Sequence, residues 1–301
     1  MTIHRRGFLK QSSLAIGSAI LLKHDFLFNG KKERVGLQLY SVRDEMYRDP
    51  AGTLEKVANM GYRYVEHANY SNRKFYGYSV REFKSLLDGL GLQMPSGHTV
   101  LNNQHWDKTK KEFTPLWKNT VEDAAFMGQH FVISPSMEKE YRSSYDQFMA
   151  LMEIFNKSGS LCKQYGMKFG YHNHDFEFSE KLNGIALYDL ILKNTDPGLV
   201  IQQLDTGNLF NGGARALEIV KQNPGRFQSL HVKDEIPVPD MPGKYESCIL
   251  GKGIAEVKKV LDLVRKKSGD VDYIIEQEAY QGLQPIDCAR EDLAVMKNWG
   301  F

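Results

Sequence analysis

Four side chains with ligand chemistry close short apolar runs of this 301-residue chain. They are His172 in FGYHNH, Asp205 in VIQQLDTGN, His231 in SLHVKD and Glu276 in DYIIEQE. Two imidazoles and two carboxylates suit a hard-to-borderline divalent cation: Mn²⁺, Mg²⁺, Co²⁺ or Zn²⁺. The four positions are separated by 33, 26 and 45 residues. Each gap is close to one strand-plus-helix unit. Consecutive parallel strands would therefore carry these groups to one mouth of a (β/α)8 barrel, the face at which such barrels do chemistry. The spacing predicts one divalent metal ion held by His172, Asp205, His231 and Glu276.

Each residue has a plainer reading as well. A lone buried histidine is usually hydrogen-bonded core, but His172 and His174 share one side of a strand. Asp205 precedes Thr206 and Gly207, the pattern of an Asx turn. Lys233 is either a solvated lysine, a hydrogen-bond donor to a substrate oxygen, or an acid/base. Glu276 and Glu278 face the same way, and buried charges are seldom left unpaired, so one of them is expected to meet a cation.

The elements that would position these groups are visible as alternating patterns. Short apolar runs predict strands over Val35–Leu39, Tyr62–Glu66, Leu92–Ser96, His130–Ser134, Met167–His172, Leu199–Asp205, Phe227–His231 and Tyr273–Glu276. Helical spacing falls between them, over Thr53–Met60, Glu112–Met127, Tyr145–Gln164 and Ile254–Lys267. Gly61, Gly91, Gly128, Gly166 and Gly269 stand where helices should stop. Eightfold strand–helix alternation predicts an α/β fold, a (β/α)8 TIM barrel over residues 32–301. A doubly wound open sheet would compete, but no G-x-G-x-x-G follows an early strand. IPVPDMPGK (Ile236–Lys244) reads as a long loop at the catalytic face, a candidate lid.

Residues 1–31 read as an address. RRGFLK, with Arg5 and Arg6, precedes a short apolar stretch from Leu14 to Leu22, too short to span a bilayer. The segment is similar to a twin-arginine export signal, which implies the Tat export machinery as a partner and a periplasmic or otherwise exported location. The remainder excludes other classes. Net charge is +2, hydrophobic content 42% and charged content 25%, with no basic stripe for nucleic acid. Cys162, Cys248 and Cys288 show neither a disulfide framework nor a CxxC pair. There is no G-x-S-x-G elbow and no phosphate-binding glycine loop.

Taken in order, HNH, LDTGN, HVKD and IIEQE resemble the xylose-isomerase-like barrels, which include sugar isomerases, ketose epimerases and inosose dehydratases. The resemblance covers about residues 34–301. It implies that Asp205, His231 and Glu276 are the metal ligands of strands six, seven and eight. His172 stands where that family usually places a glutamate, which lowers the negative charge of the set by one. The implied activity is that of a metal-dependent sugar isomerase or epimerase working through an enediolate on a keto- or aldo-sugar. A lyase or dehydratase on a keto-sugar or 3-keto-glycoside, or a non-catalytic sugar-binding barrel, are the alternatives. The base is expected at Glu177, with Glu278, His174 and Lys233 as further catalytic candidates. Glu66, His98, Gln38 and Arg43 are expected to contact a small carbohydrate. A homo-oligomer is a further expectation.

Overall fold

The computed structural model describes residues 34–301, and the expected signal segment lies outside the described residues. Eight parallel strands close into a barrel. They are β1 (Arg34–Gln38), β2 (Tyr64–His67), β3 (Gln93–His98), β4 (Phe131–Ser134), β5 (Lys168–His172), β6 (Val200–Asp205), β7 (Phe227–Val232) and β8 (Asp272–Ile275). Each pairs with its sequence neighbours, and β8 returns to β1. All eight expected strands are present, with ends within two residues of the expectation.

The outer ring consists of α1 (Pro50–Met60), α2 (Val80–Gly89), α3 (Pro115–Met127), α4 (Tyr145–Lys163), α5 (Leu187–Asn194), α6 (Ala216–Gln222), α7 (Val257–Lys267) and α8 (Pro285–Asn298). Capping fixes the starts: the Asp49 carboxylate accepts the Gly52 N–H ahead of α1, and Ser79 with Glu82 forms a capping box on α2. Gly61, Gly91, Gly128 and Gly166 take the left-handed conformation after helices, as expected, while Gly269 does not. The main core lies between strands and helices, with Leu37, Val65, Val132, Phe169, Leu204, Leu230 and Ile275 buried.

Register decides what the barrel mouth contains. Gln38 pairs across from Glu66, Glu66 from Ser96, His172 from Gln203, and Asp205 from His231. Because side chains alternate across a strand, Gln203 and Asp205 emerge on one side of β6, and His231 and Lys233 on one side after β7.

Three expectations about elements are corrected. α3 starts at Pro115 rather than Glu112, because Glu112–Phe113 pairs antiparallel with Trp106–Asp107. Ile236–Lys244 is not a structureless loop: Asp234–Pro237 pairs antiparallel with Tyr245–Cys248, and residues 238–244 form the turn between them. Ile254 is 47% exposed and lies outside α7, which starts at Val257. The cause of this last shift is Asp234, the acid of HVKD. Its buried carboxylate accepts the backbone N–H groups of Glu235, Gly251, Gly253 and Ala255 at 2.9–3.1 Å. This binds residues 251–255 to the end of β7, so the helix forms only beyond them. Asp234→Ala would leave several buried N–H groups without partners. Stability should fall by roughly 3 kcal/mol or more in urea unfolding, and a loss under about 1 kcal/mol would show that the loop holds itself.

Candidate active site

Glu66 lies at the centre of the barrel, fully buried. Oε1 accepts from Gln38 Nε2 at 2.7 Å and faces His231 Nε2 at 2.6 Å. Oε2 accepts from Gln203 Nε2 at 2.9 Å and from the Ser96 hydroxyl. Burial alone would raise its pKa, but the imidazoles of His98 and His231 and these hydrogen bonds bring it down to about 2. Glu66 is therefore a fixed negative charge beneath the mouth.

That charge orients the layer above. Gln203 Nε2 donates to Glu66 and to Ser229 Oγ, so its Oε1 faces upward. This oxygen lies 3.1 Å from His172 Nδ1 and 2.7 Å from His98 Nε2. An oxygen acceptor there makes His172 Nδ1 the protonated nitrogen and leaves Nε2 as a lone-pair donor toward the site. His231 is held from both sides, with Nε2 on Glu66 and Nδ1 3.1 Å from Glu276 Oε2. Burial pulls the His231 pKa down, but the Glu276 and Glu66 carboxylates outweigh it and raise it to about 10.

His172, Asp205, His231 and Glu276 each bring one ligand atom within 4.8 Å of the others, and all four are buried. Glu276 stands one residue past the end of β8, where its backbone N–H donates to Val232 O at 3.2 Å. Asp205 Oδ1 accepts the N–H groups of Gly207 and Asn208 at 2.8 and 2.7 Å, the Asx turn read from the sequence. Its Oδ2 is buried, receives no backbone N–H, and faces the Lys233 ammonium at 3.1 Å. A buried carboxylate oxygen met only by an ammonium, grouped with two imidazoles and a second carboxylate, fits a divalent cation. The histidine triad His98, His172 and His231 also converges.

Lys233 shares the same oxygens. Its ammonium, 1% exposed, lies 3.1 Å from Asp205 Oδ2, 2.8 Å from Glu276 Oε2 and 3.4 Å from Glu278 Oε2. Burial would lower its pKa, but Asp205, Glu276 and Glu278 hold it well above the usual lysine range. A divalent ion placed here would compete with this ammonium for two carboxylates.

Above the cluster opens a cavity of about 640 Å³. His98, His172, His174, Asn208, Glu276 and Glu278 line its inner end. His174 keeps a buried Nδ1 without a partner, and burial, followed by the Lys233 charge, holds its pKa below the ordinary value. A neutral imidazole facing a cavity can accept a proton.

The other expected contacts are placed differently. Glu66 and Gln38 lie beneath the site, both fully buried, and do not line the cavity. Arg43 is turned to Tyr280 Oη at 2.8 Å and to the Tyr40 carbonyl at 3.1 Å, beside the rim. Aromatic side chains, too, divide between core and site: the buried Trp117 donates its indole N–H to Ser158 Oγ at 2.9 Å, whereas Tyr70 lines the cavity. Glu177, the expected base, is fully buried in a short helical turn over Phe176–Ser179. Its carboxylate accepts from the Tyr171 hydroxyl and, at 2.7 Å, from the His174 N–H. It anchors the HNH loop from behind and does not line the cavity.

Gln203 and Asn208 escaped the sequence reading. Gln203 was signalled by its two-residue spacing from Asp205, which put both on the inward side of β6. Asn208, the last residue of LDTGN, reaches His172 Nε2 at 3.4 Å and accepts from Lys233 at 3.3 Å.

The chain belongs to the xylose isomerase-like TIM barrel family, whose model matches residues 54–299. It is 28% identical over 177 residues to inosose dehydratase of Clostridium perfringens strain 13, covering 54% of each protein. To inosose dehydratase of Clostridium botulinum strain Alaska E43 it is 26% identical over 212 residues, 67% of this chain and 68% of that one. The first of these matches spans about half the length of the relative. A solved sugar phosphate isomerase/epimerase from Parabacteroides distasonis ATCC 8503 is 25% identical, with a TM-score of 0.74, covering 91% of this chain and 97% of that one.

Two outcomes are expected of this geometry. Lys233→Met removes the competing charge. Mn²⁺ should then bind the full chain at least about tenfold more tightly in calorimetric titration, a gain of about 1.4 kcal/mol. Equal or weaker binding would show that the ammonium does not compete. Burial pushes the Glu177 pKa up to about 7, so its ionised form is disfavoured in the fold. Its contribution to stability is present below the usual value of 4.5 and is lost as pH rises through about 7. Glu177→Gln should flatten this part of the pH profile in thermal unfolding and leave turnover within about threefold. A loss of 10²-fold or more, the size expected for a lost base, would return Glu177 to the chemistry.

Proposed function

We propose that this chain is a divalent-metal-dependent carbohydrate enzyme that removes a proton beside a carbonyl, and that elimination follows. The observation that carries this reading is the convergence of His172, Asp205, His231 and Glu276 beneath a cavity that His174 and Glu278 also line. His172, Asp205, His231 and Glu276 would hold the metal. When bound there, the metal would act as a Lewis acid on the substrate's carbonyl and neighbouring hydroxyl.

The chain's own groups divide the remaining work. His174, uncharged and facing the cavity, takes the proton from the carbon next to the carbonyl. Lys233, an ammonium held by Asp205, Glu276 and Glu278 at the edge of the cluster, gives a proton to the oxygen that leaves, through Glu278 at the cavity wall, and regains one when the product departs. Glu278 lies 3.4 Å from Lys233 and holds that ammonium toward the cavity. Asn208 orients Lys233 through the hydrogen bond to its Oδ1. The inosose dehydratases among the relatives favour elimination. The second reading, isomerisation or epimerisation by return of the proton to carbon, is favoured by the likeness to the Parabacteroides sugar phosphate isomerase/epimerase. The small-molecule substrate in both readings is a polyhydroxylated carbonyl compound.

The RRGFLK motif supports export of the folded chain. Arg5→Lys combined with Arg6→Lys should retain the protein in the cytoplasm with unchanged specific activity. Unaltered fractionation of that variant would remove the export reading.

His174→Gln should leave the metal content unchanged while slowing deuterium exchange at the substrate carbon in D₂O by roughly 10²–10⁴-fold. Exchange at the wild-type rate would transfer the base role to Glu278. Release of water or of a substituent, followed by mass spectrometry, separates elimination from isomerisation.

A further inference from the structure

The cavity is larger than the site beneath it requires. A six-carbon sugar comprises six CH₂O units, each on the order of one water volume of ~30 Å³, or roughly 180 Å³ in all. The cavity of about 640 Å³ therefore has room for more than one ring above the cluster. It extends away from His172 and Glu276 toward the hairpin in which Tyr70–Ser71 pairs antiparallel with Lys74–Phe75, and toward the first turns of α3.

The outer end has a definite chemistry. Tyr40 (43% exposed), Val100 (36%) and Leu116 (48%) present apolar surface along its wall. Between them lie amides, among them Asn102 and Asn119. Apolar faces interspersed with amides are what a sugar ring or an aromatic substituent packs against.

Charge is equally definite. Among the described residues lining the cavity, Arg73 is the one lysine or arginine. Its guanidinium is already committed. Nε donates to Asp123 Oδ2 at 3.0 Å and Nη2 to Glu122 Oε2 at 2.8 Å, two carboxylates for one cation. Asp123 is itself buried and also accepts from Tyr70 Oη at 2.6 Å. Glu276 and Glu278 add negative charge at the inner end, where Lys233 is already paired. A phosphate placed in the outer half would lose its hydration and find no free cation in return.

We infer that the cavity takes an uncharged sugar bearing a second ring or an aromatic substituent, and that it discriminates against phosphorylated sugars. The inference rests on the proposed function for the placing of the reacting ring over the metal cluster. The substituent lies between the Tyr70 hairpin and Leu116, so in the elimination reading the outer end is the leaving-group subsite.

Calorimetric titration of the full chain, supplied with Mn²⁺, tests this without turnover. The probes are glucose, cellobiose, 4-nitrophenyl β-glucoside and glucose 6-phosphate. The two-ring and aryl probes should bind at least about tenfold more tightly than glucose, and glucose 6-phosphate should bind more weakly than glucose. Leu116→Glu, at an exposed outer position, should remove the advantage of the larger probes and leave glucose unchanged. Tightest binding of glucose 6-phosphate, equal binding of the neutral probes, or no binding of any larger probe at its solubility limit would overturn the inference. Failure of deuterium exchange with a correct order of affinities would instead overturn the proposed chemistry and leave the subsite standing.

Discussion

The buried carboxylate of Glu66 is the interaction on which the mouth of this barrel depends. It is contributed by β2, on the far side of the barrel from β6 and β7, yet it reaches His231 and Gln203 directly. Through His231 it fixes one member of the ligand cluster, and through Gln203 it fixes the tautomer of another, His172. The inner hydrogen bonds to Gln38 and Ser96 give the charge enough donors to remain ionised without water. A polar layer of this kind inside a barrel would be costly if half satisfied. Once satisfied, it holds the groups above it in a single arrangement.

The charges above Glu66 form a balance between competing cations. Asp205 and Glu276 are brought together by the pairing of β6, β7 and β8, and two carboxylates in one buried place demand positive charge. The protonated His231 and the Lys233 ammonium supply it in the described structure. A divalent ion would replace part of that charge, so metal uptake and the position of Lys233 are linked. The same economy of cations extends outward, where one guanidinium, Arg73, is shared between two carboxylates, Glu122 and Asp123.

Much of this was legible in the sequence, for reasons that can be named. Strand–helix alternation is a strong periodic signal, and all eight strands and the long helices α1, α3, α4 and α7 were expected close to their observed ranges. Helices α2, α5, α6 and α8 were not singled out. The four converging residues could be read because each closes an apolar run at a barrel-repeat distance. What failed was direction. Glu177 follows HNH by three residues, but a short helical turn rotates it behind the loop onto Tyr171. Glu66 and Gln38 were read as contacts to a ligand, but the register of β1 with β2 seats them a layer lower. Asp234 was unremarkable in sequence, because its function is to collect backbone N–H groups that only the folded loop brings together.

The central claim is that two imidazoles and two carboxylates, from β5, β6, β7 and the end of β8, hold one divalent cation. Pulsed electron paramagnetic resonance of the full chain loaded with one equivalent of Mn²⁺ reads those donors directly. The account predicts nuclear couplings from two histidine nitrogens in the wild-type protein, reduced to one when His172 is replaced by glutamate. A Mn²⁺ spectrum without nitrogen couplings, or one unaltered by His172→Glu, would contradict it.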